Sequence, residues 1–251
     1  MTDPERPASE SATVDEAREV DRWMYQFTAQ LAHDMRAPMG AIFMWAHVLR
    51  AGEAGENRAA IDAIEASARQ QSRMLSDVVD MARALVGRLK IELARTDLAA
   101  VVSAAVEEKA KDAAARRVTL DWLAPADPRT PAPVIKADAK RLQQALGCLI
   151  AHAIANATGG RVTVRLVGAP GGQVDVRIGV PSAGVEAGAL DDLFVPYRAQ
   201  GLDLVAGRPD FGMGLPFARV MVRLHGGTLD VENRGPGGEL AFVARLAPSA
   251  G

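Results

Sequence analysis

The sequence predicts an antiparallel helical hairpin, paired with a second copy as a dimeric four-helix bundle, followed by an α+β sandwich. Three observations carry this fold class. Two long stretches repeat apolar residues at alternating steps of three and four, from Val20 to Val48 and from Ile61 to Leu85. That is the spacing of helices packed along a seam. A break with two glycines, Ala51-Gly52-Glu53-Ala54-Gly55-Glu56, separates the stretches. Beyond residue 90 the pattern becomes short alternating runs interleaved with single helical stretches, as in one mixed sheet with helices on one face. A lone hairpin leaves part of its apolar stripe in water, and two hairpins bury it in a bundle.

The elements follow in order. Residues 1–13 are rich in Pro, Ser, Glu and Ala, lack hydrophobic periodicity, and read as a disordered tail. Thr13 and Glu16 have capping-box spacing, which opens a helix running to Arg50. Its seam is Val20, Met24, Phe27, Leu31, Asp34, Pro38, Ala41, Trp45 and Val48. A second helix is expected over residues 57–90, with Ile61, Ile64, Ala68, Gln71, Leu75, Val78, Ala82 and Leu85 on its seam. Thr96-Asp97 should begin a third helix, to about Arg116. Strands are expected at 118–123, 134–135, 161–167 and 173–180, with a helix over 138–157 between the second and third of these. A loop and short helix lead to Leu193-Phe194. A helix over 215–224 precedes a closing hairpin, 228–232 and 240–246, around Arg234-Gly235-Pro236-Gly237-Gly238. The expected division is a tail, 1–13; a hairpin domain, 14–92; and an α+β domain, 96–248.

Composition narrows the function. Hydrophobic residues make up 49% of 251, enough for a sizeable core. The formal net charge of -2 gives no reason to invoke nucleic acid or an anionic membrane. One cysteine, Cys148, excludes internal disulfides and suits a reducing compartment. No apolar run reaches the length of a membrane span, and Met1-Thr2-Asp3-Pro4-Glu5-Arg6-Pro7 is unlike a secretion signal. A cytoplasmic protein without a sensor domain is expected.

The stretch with most chemistry is Phe27-Thr28-Ala29-Gln30-Leu31-Ala32-His33-Asp34-Met35-Arg36-Ala37-Pro38-Met39-Gly40. Helix formers flank His33 on both sides. An imidazole nitrogen is nucleophilic and titrates near neutral pH, so it can carry a transferable group. Asp34 can hold a ring tautomer or take a proton. Arg36, at i+3 from His33, can meet an incoming phosphate. Pro38 removes the N–H that would meet the Asp34 carbonyl, which should bend the helix.

His33, Asp34, Met35, Arg36, Pro38 and Met39 together resemble the phospho-acceptor box of two-component sensor histidine kinases: His, acid, hydrophobe, Arg, small, Pro, hydrophobe. The acid is Asp where the commonest subfamily has Glu. The resemblance covers about residues 17–246. It implies that His33 accepts a phosphoryl group, that the hairpin dimerises, and that the partner is a response-regulator receiver domain.

The second half resembles the ATP-binding domain of the same kinases, a fold shared with gyrase and Hsp90 type ATPases. Residues 138–146 match the start of the magnesium-site helix, Leu193 to Arg198 match the segment before the ATP lid, and Gly212-Met213-Gly214-Leu215 matches the phosphate turn. His225-Gly226-Gly227 matches the turn after that last helix. Gly-rich turns at helix starts suit phosphates because backbone amides point at them.

Several polar residues of that site are replaced. The family's two asparagines fall at Cys148 and His152, and its basic residue falls at Ala155. Magnesium wants hard oxygen ligands, which thiol and imidazole do not supply. Asn156, one turn beyond His152, is the residue placed for a displaced ligand. The adenine-binding aspartate falls at Val180, and of its Asp-x-Gly-x-Gly loop Gly184 survives. The positions equivalent to an ATP site are thus His152, Asn156, Gly184, Gly212 and Gly214. ATP and magnesium are cofactors by resemblance, and the replaced contacts argue against both. Cys148 with His152 lacks further ligands for zinc. His47 and His225 read as structural, and Trp23, Trp45 and Trp122 as packing residues.

The leading expectation is a phosphotransfer step between His33 and a receiver aspartate, with an impaired ATP site. Two alternatives stand beside it: an active autokinase with a divergent ATP site, and a scaffold that binds a receiver without phosphate flow.

Overall fold

A computed structural model describes residues 35–36, 38–49, 57–85, 88–124, 133–157, 159–181, 190–195, 213–233 and 238–248. The chain divides into two compact units, Met1–Leu75 and Ser76–Gly251.

In the first unit, α1 covers residues 38–49, with Met35 and Arg36 also helical before it. Pro38 is buried, and Ala41, Ile42, Trp45 and Val48 are half-buried, so the seam read from the sequence faces inward here. Phe43, Met44 and His47 are exposed on the other side. The second helix, α2, is Asn57–Leu85. Its inward residues in this unit are Ala60, Ala63, Ile64, Ser67, Gln70 and Gln71. Across the hairpin the Gln71 amide donates to the Met35 carbonyl at 3.2 Å, in the turn that Pro38 crowds. Part of the α2 seam stays uncovered within one chain: Ile61 is 47% exposed and Leu75 54%.

α2 ends at Leu85, five residues short of the expected Lys90. The Arg88 N–H returns to the Arg83 carbonyl at 2.7 Å, the six-to-one bond that closes a helix, and the sequence carries a glycine at 87.

The second unit adds two sheets where one was expected. β1 (Ala94–Asp97) pairs antiparallel with β3 (Val134–Ala137) as a separate two-stranded ribbon. Thr96 is buried in it and donates its hydroxyl to the Ala137 carbonyl at 3.0 Å. Thr96-Asp97 therefore ends a strand, and helix α3 is Leu98–Ala115. Asp97 is still its N-cap, accepting from the Ala99 and Ala100 amides at 2.8 and 3.2 Å.

The main sheet has the order β2-β4-β5-β7-β6, with β2 Thr119–Leu123, β4 Arg161–Gly168, β5 Val174–Pro181, β6 Thr228–Asn233 and β7 Glu239–Leu246. β2 runs parallel to β4, and the other pairs are antiparallel. Period-two alternation puts Val162, Val164, Val176, Ile178, Leu229, Leu240, Phe242 and Leu246 into the core. Helices α3, α4 (Ala139–Asn156) and α5 (Gly214–Leu224) supply Leu98, Val102, Leu142, Leu146, Leu149, Ile150, Phe217 and Met221 to that core.

The opposite face of the sheet is laced with ion pairs: Arg161–Asp121, Arg165–Glu239, Arg177–Glu232 and Arg245–Asp175. Gly179 makes one of them reachable, since a Cβ there would overlap the Glu239 carboxylate. Gly227, after α5, is likewise required, because a Cβ would run into the Arg245 carbonyl. Fixed helices on one face and a charged, solvated face on the other are the two layers expected from the sequence.

Candidate functional site

Each unit carries a candidate region of its own. In the first, His33 and Asp34 lie outside the described residues. Arg36 is described and exposed, as are Met39, Gly40, Phe43 and His47 after it, all on the outward side of the helix. The buried Pro38 fixes which side that is.

In the second, α4 carries the residues at the positions that the resemblance assigns to magnesium. Asp138 caps the helix and accepts from the Arg141 N–H at 3.1 Å. Burial pushes the Asp138 carboxyl up, but bonds from the Arg141 and Glu92 amides and the nearby charge of Arg141 outweigh it. The net direction is below the ordinary carboxylate value. Farther along, Cys148 is half-buried. His152 is buried at 7% exposure, its ring edge-on to Phe242 with centroids 5.5 Å apart. Asn156 donates its amide to the His152 carbonyl at 2.8 Å, a bond within its own helix.

Val180 lies in β5 opposite Leu240 and is 2% exposed. Strand pairing continues through Pro181 opposite Glu239. Gly214 is the first residue of α5 and is buried; Met213 precedes it without a side-chain capping bond. Gly184 and Gly212 lie outside the described residues. The structure thus places His152 and Asn156 one turn apart on α4, and Gly214 at the start of a different helix.

These residues do not fit magnesium and ATP in the manner the resemblance implies. The His152 ring is packed edge-on against a core phenylalanine, and imidazole is not a hard oxygen donor. The Asn156 amide is tied to its own helix. A buried valine cannot accept a bond from an adenine amino group. Among the described residues no group of three His, Cys, Asp or Glu could hold a metal ion.

His225 has a structural place, at the end of α5. Its Nδ1 lies 2.7 Å from the Met221 carbonyl, and its Nε2 accepts from the Asp138 N–H at 3.1 Å. One nitrogen donating and one accepting is the pattern of a neutral imidazole. It ties the end of α5 to the cap of α4.

A second polar cluster was not read from the sequence. Arg141 pairs with Asp80 near the end of α2, and the Gln144 amide donates to Asp77 at 2.6 Å. The signal was a matched spacing: two acids at i, i+3 on α2 and two donors at i, i+3 on α4. It has meaning only once the two helices are known to meet.

Comparison with known proteins agrees with this arrangement. Residues 23–86 match the His Kinase A (phospho-acceptor) domain, and residues 137–249 match the histidine kinase-, DNA gyrase B-, and HSP90-like ATPase. Sensor protein DivL of Caulobacter vibrioides is 30% identical over 248 residues, 95% of this chain and 30% of DivL. Virulence sensor protein BvgS of Bordetella bronchiseptica is 28% identical over 209 residues, 81% of this chain and 17% of BvgS. The chain therefore spans less than a third of the length of these relatives.

Among solved structures, histidine kinase AdeS of Acinetobacter baumannii superposes with a TM-score of 0.64 at 16% identity, over 87% of this chain and 98% of AdeS. Full-length ShkA, solved in complex with AMPPNP, gives 0.63 at 22% identity, over 89% of this chain and 46% of ShkA. These two likenesses speak for the fold, and the domain matches for the lineage: the chain belongs to the two-component sensor histidine kinase family.

Proposed function

We propose that this protein exchanges phosphate between His33 and the aspartate of a response-regulator receiver domain, and that its ATP-type domain is impaired as a phosphate donor. A ring nitrogen of His33 attacks the phosphorus of the receiver's aspartyl phosphate. The P–O bond to the aspartate breaks and its carboxylate leaves; the reverse step restores it. Asp34 holds the ring tautomer and Arg36 meets the phosphoryl oxygens. The proposed domains are the hairpin, 14–92, and the ATP-type fold, 96–248, with residues 1–13 as a tail. The proposed state is a cytoplasmic homodimer. Among the described residues no helix is long and apolar enough to cross a membrane.

One observation carries the impaired-donor reading. The side chain at a magnesium position, His152, is packed edge-on against Phe242 in the core. Phosphoryl transfer from ATP depends on positioning and on neutralisation of charge by the metal. Losing that ligand removes both.

The autokinase alternative has one feature in its favour. Among the described residues no side chain caps α5 at Gly214, which leaves first-turn amides for an anion. Titration calorimetry with ATP and magnesium separates the two readings. Weak or undetectable binding is expected. A micromolar, magnesium-dependent dissociation constant would replace the phosphotransfer reading with the autokinase.

A further inference from the structure

The connector from α2 to β1 is fastened at both ends to one place, the first two turns of α4. Before the connector, Asp80 is 7% exposed and takes both terminal nitrogens of Arg141, one of them at 3.4 Å. One turn earlier, Asp77 takes the Gln144 amide at 2.6 Å. After the connector, the Glu92 N–H donates to the Asp138 carboxylate at 3.2 Å. The Asp138 N–H is in turn held by His225. All of these residues lie in the second unit.

The electrostatics favour this arrangement. Two carboxylates of α2 face the amino end of α4, the positive end of its dipole. Arg141 is 27% exposed, so the pair is largely out of water and poorly screened by salt. Arg83, which also approaches Asp80 at 3.9 Å, is 61% exposed and cannot replace it.

We infer that the amino end of α4 is a latch: the Asp80–Arg141 pair, backed by Asp77–Gln144, clamps the end of α2 onto the ATP-type fold without needing a nucleotide. Only the last clause rests on the proposed impairment of the ATP site. The latch itself rests on the bonds above. With it closed, the ATP-type fold holds residues 76–85 of α2, which belong to its own unit. Opening it frees residues 76–85 of α2 while the sheet core stays intact.

The test is hydrogen exchange of residues 76–85 in the full chain, for Asp80→Asn, Arg141→Ala and the double variant. Removing one partner of a buried pair leaves an uncompensated charge, so each single change should speed exchange there about a hundredfold or more. The double variant should exchange no faster than the worse single one, and amides of β4, β5 and β7 should keep their protection. Unchanged exchange at 76–85, or purely additive effects, would overturn the latch. Should the charged-pair variants fail to fold, Gln144→Ala carries the same test, with faster exchange at 76–85 expected and an unchanged rate contradicting it. ATP with magnesium should leave exchange at 76–85 of the unmodified protein as it is. Added protection would overturn the nucleotide-independent clause and leave the latch standing.

Discussion

At the scale of single residues, the proposed function rests on His33, Asp34 and Arg36, and the local fold on Asp138. His33→Gln should abolish phosphate acceptance while leaving the dimer intact, read as acid-labile label after mixing with phosphorylated receivers. Asp34→Ala should slow transfer by about 10²-fold, the usual scale for a positioned acid or base. Arg36→Ala should act more weakly, because an exposed charge is well screened.

Asp138 has a pH signature. Its carboxyl lies below the ordinary carboxylate value in the fold. A depressed folded value means that its stabilisation is fully present above the unfolded value, about 4, and is lost as pH falls through the folded one. Asp138→Ala should therefore cost about 1 kcal/mol at neutral pH, with the gap closing in acid below about pH 4. Chemical denaturation of both proteins at pH 7 and pH 3 reads this directly. A gap that is the same at both pH values would remove the carboxylate from the explanation.

At the scale of elements, the periodic features were legible and the relational ones were not. Heptads exposed α2 and residues 38–49 of the first hairpin helix, whose expected part before residue 35 lies outside the described residues, and period-two runs exposed β2, β4, β5, β6 and β7 within a residue or two. β1 was missed because Ala94-Arg95-Thr96-Asp97 has no alternation of its own and exists by pairing with β3. Its last residue, Asp97, is a helix cap, and that signal hid the strand behind a helix start. The end of α2 was overrun because Leu89 and Ile91 keep an apolar rhythm past the point where the chain turns.

The phospho-acceptor box was readable as a motif because its residues are contiguous. The junction of Asp80 with Arg141 joins residues 61 apart, and no local pattern marks it. On α2 the exposure of Leu75 makes a further prediction. Within one chain it is 54% exposed, yet it lies on the seam. Leu75→Glu should leave the hairpin folded and separate the dimer, because the charge is tolerated in water but would be unpaired inside a bundle. Light scattering is the readout; a dimer that survives the change at micromolar concentration would place the interface elsewhere.

At the scale of the whole molecule, two familiar domains are kept, and the proposed function is that the chemistry linking them is altered. The hairpin keeps its phospho-acceptor sequence. The ATP-type fold has its sheet and core helices α3, α4 and α5, yet carries a packed imidazole and a buried valine at positions that the resemblance assigns to ligands. On the proposed reading, such a fold keeps its packed core while its role as a phosphate donor is impaired. The source of the phosphate that His33 is proposed to accept therefore decides between the readings. The most direct measurement supplies label from two sources in parallel, ATP with magnesium in one tube and phosphorylated receiver domain in the other, and follows acid-labile label on the unmodified protein and on His33→Gln. Label is expected to reach His33 from the receiver and not from ATP, and to be absent from the variant in both tubes. Label arriving from ATP at His33, with none from the receiver, would contradict the phosphotransfer reading.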